Sequence, residues 1–215
     1  MTTIAELHLG DDPLAWKTIG LDVDAGHTAH VGHVRLHFHP DAPQRGIFRW
    51  VLAGTPDEAV TEVDGLPTGH GEPPSLAGLA PSHLLGAEVI DHLVVGTPDL
   101  DRTVRAIERS LGLPLRRTRD AERAGQPKMR QAFFRMGEVV LEVVGPPEPD
   151  PADGPAAFWG LAFTVASLEE AVDFLGSDVV SDPKPAVQPG RWIATVRPEA
   201  GLSVPVALMS DEAGR

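Results

Sequence analysis

The side chains best suited to chemistry are histidines and arginines on stretches that read as strands. His92 sits inside the apolar run Val89–Val95. Five more histidines, His27, His30, His33, His37 and His39, crowd one stretch near the N-terminus. His37 and His39 are two residues apart, so on a strand they share a face, and imidazoles so placed can bind a metal. Only Asp41 is interleaved as an acid, and the expected reading is an exposed strand face with adventitious metal affinity. A second group gathers Arg130, Gln131, Arg135, Arg191 and Trp192, all on or beside expected strands. A guanidinium fork pairs well with a carboxylate, which makes Gln131, Arg135, Arg191 and Trp192 the candidate contacts to a small anionic ligand. The plainer alternative is ordinary edge charge.

Several classes of chemistry drop out. The chain has no cysteine and no tyrosine, which excludes disulfides, thiolate nucleophiles and phenolic acids. Its 31 acidic residues against 18 basic give a net charge of −13. A nucleic-acid or anionic-membrane surface would need the opposite sign. No Ser-His-Asp order or dinucleotide fingerprint stands out, and Gly65-Leu66-Pro67-Thr68-Gly69 lacks the lysine of a phosphate loop. No apolar run approaches the ~18 residues of a membrane span. The segment MTTIAELHLG lacks the basic and apolar regions of a signal peptide, so the expected compartment is the cytoplasm.

The elements that must position these residues follow in order. Residues 4–10 read as a strand, and Asp11-Asp12-Pro13 as a capped helix start that stops at Gly20. Residues 22–39 and 46–54 read as strands. Residues 55–87 are dense in proline and glycine and read as a linker carrying a short strand or turn at most. Val89–Val95 is a strand. Leu100, Val104, Ile107 and Leu111 line one face of a helix that Gly112 stops. Leu113–Thr118, Arg130–Arg135 and Val139–Val144 read as strands, and 145–155 is a proline-rich break. Phe158–Val165 is a strand again, and Ser167 with Glu170 forms a capping box for a helix ending at Gly176. Strands are expected to start near Asp178, over Trp192–Arg197 and over Leu202–Met209.

The chain repeats itself. Leu100-Asp101 and Val104 match Leu168-Glu169 and Val172 at an offset of 68, and Gln126-Pro127, Ala132 and Arg135 match Gln188-Pro189, Ala194 and Arg197 at an offset of 62. Each copy runs strand, helix, three strands. One such unit buries its sheet poorly, whereas two side by side make a curved, open sheet with helices outside and a cleft within. The stretches IDHLVV with TPDLDRTV, QAFFRMGEVVLEVVGP and GLAFTVASLEEAV resemble the vicinal oxygen chelate superfamily, the group of glyoxalases, bleomycin-resistance proteins and extradiol dioxygenases. The resemblance runs from about Ile90 to Met209. It implies an α+β fold of paired βαβββ modules, with a third, truncated module at the N-terminus. The expected division is 1–54 for that module, 55–87 for the linker, 88–146 for module A and 156–211 for module B.

The resemblance also implies a metal site. Metal-dependent members take ligands from the first and last strands of each module, here His92 and Glu142 in module A. An imidazole with a carboxylate suits one divalent ion of Zn, Fe, Mn, Ni or Co. Module B offers Gly160 and Val206 at the corresponding places, which carry no ligand. The expectation is therefore a small-molecule-binding protein with an incomplete metal site and no metal. The other reading is a metal-dependent lyase, isomerase or dioxygenase using His92 and Glu142. Glu6 aligns opposite His92 and offers one further ligand, and a homodimer offers a second His92–Glu142 pair.

Overall fold

A computed structural model of the chain describes residues 1–74, 83–121, 127–149 and 154–211. Gln126 of the repeated Gln-Pro pair, residues 75–82 of the expected linker and residues 150–153 of the proline-rich break lie outside the described residues.

The N-terminal part begins with β1 (Thr3–Gly10), whose alternation sends Leu7 and Leu9 into the core and turns Glu6 and His8 to the other face. Asp12 caps α1 (Pro13–Thr18) by accepting from the Leu14 amide at 2.9 Å, and proline opens the helix. Then come β2 (Thr28–Val31), β3 (Val34–Phe38) and β4 (Gly46–Ala53). The strands continue past residue 54. β5 (Glu62–Val63) and β6 (Leu66–His70) form a hairpin within the segment expected to be a linker. Its turn, Asp64-Gly65, has φ of 49° and 88°, the positive pair that a two-residue hairpin of right-handed twist requires. The six strands order as β2-β3-β1-β4-β6-β5. β1 runs parallel to β3, β4 runs parallel to β6, and β1 and β4 are antiparallel at the centre. The N-terminal sheet thus holds two partial copies of the module, the second without a helix.

The C-terminal part carries two whole copies. Module A is β7 (Ala87–Gly96), α2 (Leu100–Leu111), β8 (Arg117–Ala121), β9 (Met129–Met136) and β10 (Val139–Gly145). Module B is β11 (Ala157–Val165), α3 (Leu168–Leu175), β12 (Lys184–Pro185), β13 (Trp192–Thr195) and β14 (Val206–Ser210). The eight strands order as β12-β13-β14-β11-β7-β10-β9-β8, with β7 antiparallel to β11 and each first strand parallel to the last of its module. This mixed α+β architecture is the fold expected of paired βαβββ modules. Two strands differ from expectation. β8 begins at Arg117 because Leu113 is drawn into the core, and the strand expected near Asp178 is reduced to one bridge between Val180 and Val196.

The two sheets share one core. Leu7, Leu36, Trp16 and Trp50 from the N-terminal part join Ile90, Leu93, Phe134, Phe163 and Leu208 in a single cluster. Trp16 meets Phe163 edge-on at 6.4 Å between ring centroids, and Trp50 meets Phe158 at 5.2 Å. Asp64, in the β5–β6 turn, accepts from Arg102 Nε at 2.7 Å and from the Thr103 hydroxyl, tying that hairpin to α2. Each sheet therefore turns its helix-bearing side inward and its other face outward.

Candidate functional site

The outward face of the C-terminal sheet is organised by an irregularity in β7. Its pairing with β11 skips between Ile90 and His92, leaving Asp91 as the extra residue of a β-bulge. In a regular strand, neighbouring side chains point to opposite faces. The bulge breaks that rule and lets the Asp91 carboxylate reach the Nδ1 of His92 beside it. Asp91 is held in turn. The Thr164 hydroxyl donates to it at 2.8 Å, and the Arg191 guanidinium donates to the same carboxylate oxygen. Burial raises the affinity of Asp91 for a proton. The hydrogen bonds from His92, Arg191 and Thr164, with the charge of His92, more than reverse this and hold the carboxyl well below its ordinary range. Nδ1 of His92 is thereby fixed as the donor, and in the neutral ring Nε2 carries the lone pair.

Ladder register places the neighbours of His92. Ala162 lies opposite it on β11 and Val140 on β10, and Arg135 on β9 pairs with Val140, so the row continues outward. In the next row, Val94 pairs with Glu142 and Glu142 with Phe133, over whose ring Arg117 stands at 4.9 Å. Glu142 is largely buried. That burial raises its pKa, while the charges of His92 and Arg119 and a hydrogen bond from Gln131 pull the other way. Gln131 donates to Glu142 and accepts from Arg119 Nε at 2.8 Å, forming a relay of Arg119, Gln131 and Glu142. Arg135 is exposed on the same face by alternation.

The residues first grouped as ligand contacts do not stay together. Gln131 and Arg135 share a face with His92 and Glu142. Arg191 is only 7% exposed, and all three of its guanidinium nitrogens are engaged inside the protein. Nε donates to the Ser210 carbonyl at 2.8 Å, Nη1 to Gln188 at 3.0 Å, and Nη2 to Asp91 and to Thr164. It positions Asp91 and is not free for a ligand. Trp192 shares the face of the core residue Ala194, two residues on, and so lies on the side of the sheet opposite His92. There it borders a depression of about 560 Å³ at the start of α3, with Ser167, Leu168 and Glu169.

Module B supplies no imidazole or carboxylate at the places that match His92 and Glu142. The skip in β11 falls at Trp159, which matches Asp91 at the repeat offset and so makes Gly160 the counterpart of His92. The β11–β14 register pairs Leu161 with Val206 and Ala162 with Ala207. The counterpart of Glu142 is therefore Ala207, and Val206, fully buried, faces the core. A Cβ on Gly160 would stand 2.9 Å from the Pro205 carbonyl oxygen, so close backbone packing requires glycine there. His92 and Glu142 remain two donors where catalytic metal sites typically use three from the protein, so the set is one donor short of such a site.

Sequence reasoning missed Asp91, Thr164 and Arg119. No periodicity announces a bulge, and Asp91 beside His92 reads as a residue of the other face. It also left His8 unmarked. Among the described residues, the group of three His, Cys, Asp or Glu side chains whose ligand atoms converge is Glu6, His8 and His37, on the other sheet.

A family model described as Glyoxalase/Bleomycin resistance protein/Dioxygenase superfamily matches residues 89–193. No curated protein sequence matches the chain. Among solved structures, a mutant 4-hydroxymandelate synthase from Streptomyces coelicolor aligns over 97% of this chain and 92% of its own, at 14% identity and a TM-score of 0.68. Methylmalonyl-CoA epimerase from Mycobacterium tuberculosis aligns over 63% of this chain and 95% of its own, at 16% identity and a TM-score of 0.48. The first likeness extends over both sheets and is one of fold.

Proposed function

Because residues 89–193 make this chain a member of the glyoxalase/bleomycin resistance protein/dioxygenase superfamily, we propose that it binds a small anionic molecule on the outward face of the C-terminal sheet, in the cleft between modules A and B. One observation carries the reading. The Asp91 network presents the free Nε2 of His92 on the face that also bears Glu142 and Arg135, while Gly160, Ala162 and Ala207 line the other side without donors. That is a binding surface with one polar wall and one small apolar wall. Arg135 takes the negative charge of the ligand, and His92 and Glu142 orient its polar end. The reading places the protein in the cytoplasm, with no nucleic-acid or membrane partner. A second copy of the chain is its expected partner, through the exposed sheet edges at β8 and β12.

The second reading is a metal-dependent lyase, isomerase or dioxygenase with His92 and Glu142 as ligands. Its support is the carboxylate behind His92, which is how metal-bound imidazoles are commonly held. The experiment that separates the two is thermal melting of the full chain, purified without a histidine tag, against a panel of small carboxylates with and without chelator. The binding reading expects a ligand-dependent rise in Tm that survives chelation and is lost in Arg135→Ala and Glu142→Gln. Stoichiometric metal that disappears in both His92→Ala and Glu142→Gln would sink it.

A further inference from the structure

The outward face of the N-terminal sheet carries a cluster that the C-terminal cleft does not use. Glu6 and His8 lie two apart on β1, and His37 pairs with His8 across the parallel β1–β3 ladder. Glu6 Oε2 is 3.4 Å from His8 Nε2 and 3.4 Å from His37 Nε2. An ion bound tetrahedrally at zinc–ligand distances sets its donors about 3.3 Å apart, so this spacing already matches a shared centre. His37 Nε2 is buried without a hydrogen-bond partner, an orphaned acceptor or donor turned toward Glu6.

The outer contacts orient all three donors. Arg35 Nη1 donates to Glu6 Oε1 at 2.9 Å and leaves Oε2 facing the histidines. His8 Nδ1 lies 2.9 Å from His39 Nε2, and His37 Nδ1 lies 3.4 Å from the Thr28 hydroxyl. The tautomers in which both Nδ1 atoms donate turn both Nε2 lone pairs toward Glu6 Oε2, which is how metal-bound imidazoles are held. Burial, then the neighbouring His37 and His39, lowers His8 to about 4 against the pull of Glu6. Burial likewise lowers His37 against the pull of Glu6.

We propose that Glu6, His8 and His37 form a divalent-cation site of the borderline class filled by zinc, nickel or cobalt, on a face separate from the C-terminal cleft. Three protein donors leave one position open. A concavity of about 490 Å³, lined in part by His37, His39 and Phe48, borders the cluster. Arg49, opposite His8 in the β1–β4 ladder, adds positive charge, which makes a small anion the natural fourth ligand. Glu6 and His37 stand on the first and last strands of the N-terminal copy, at the places His92 and Glu142 hold in module A. His8 adds a third donor where module A has Val94, and the N-terminal sheet lies outside the residues the family model matches.

The test is calorimetric titration of the tag-free full chain with zinc and, in parallel, cobalt, whose visible spectrum reports coordination. One ion per chain is expected. His8→Asn and His37→Asn should each weaken binding by more than about 100-fold, beyond the range typical of outer-contact losses. His92→Ala and Glu142→Gln should leave it unchanged, which separates this site from the C-terminal cleft whatever that cleft binds. Glu6→Gln, nearly isosteric, should keep the fold by circular dichroism and still abolish the cobalt spectrum, so a misfolded histidine variant does not leave the question open. Binding that survives Glu6→Gln and His37→Asn, binding lost in His92→Ala, or no binding at micromolar metal each overturns the proposal.

Discussion

Asp91 decides the character of the C-terminal face, and it does so from a position that strand alternation would give to the other side. Its carboxylate is the anion against which the buried Arg191 guanidinium is balanced. Removing one partner of a buried pair leaves an uncompensated charge, so Asp91→Ala should cost about 3 kcal/mol or more, read as a shift of the urea midpoint. A loss under about 1 kcal/mol would show that water compensates Arg191. His92 and Glu142 could be picked out of the sequence because a histidine in an apolar run and a glutamate in a β-branched run are conspicuous there. Asp91 and Thr164 could not, and Arg191 read as a ligand contact, since the meeting of the three depends on one skipped pairing and on contacts as much as 100 residues apart in the chain. Gly160 read as a lost ligand; the approach of the Pro205 carbonyl shows that it is also a packing requirement.

At the scale of elements, the repeat made the C-terminal strands and helices readable, because each copy carries its own cap and stop. Asp99 caps α2 and Ser167 caps α3, each by accepting from the amide three residues on. The N-terminal strands were harder to read. The β5–β6 hairpin has the Asp-Gly signal of a tight turn, but the surrounding prolines and glycines drown its short strands. The histidines of β1, β2 and β3 have a pH consequence. Burial lowers His8, to about 4, and also lowers His30 and His37. The unfolded chain takes these protons near pH 6.5, whereas the folded chain resists them, so protonation favours unfolding. Stability is full above about pH 6.5 and falls as pH drops through that value toward 4. Glu142, raised by burial, acts in the opposite direction as one group against three. In chelator, Tm should fall between pH 7.5 and pH 5, and His8→Asn should flatten the slope. An equal slope in that variant would remove His8 from the account.

At the scale of the molecule, the sheets stand back to back over one apolar cluster, with Trp16 and Trp50 as the contacts across the seam. A core of this kind does not divide into two independently stable halves. Urea unfolding should therefore be a single transition, with the fluorescence of the buried tryptophans and far-ultraviolet circular dichroism coinciding. Two separated midpoints would show that the sheets unfold separately. The pairing of modules A and B was readable from the repeat. The shared core was not, because nothing in a linear pattern tells which apolar face meets which. The seam has a consequence for how the outward faces are read by solvent. When opening of the backbone amides is global, any molecule that holds the folded chain at one face must slow amide hydrogen exchange on the opposite sheet as well, though it touches nothing there.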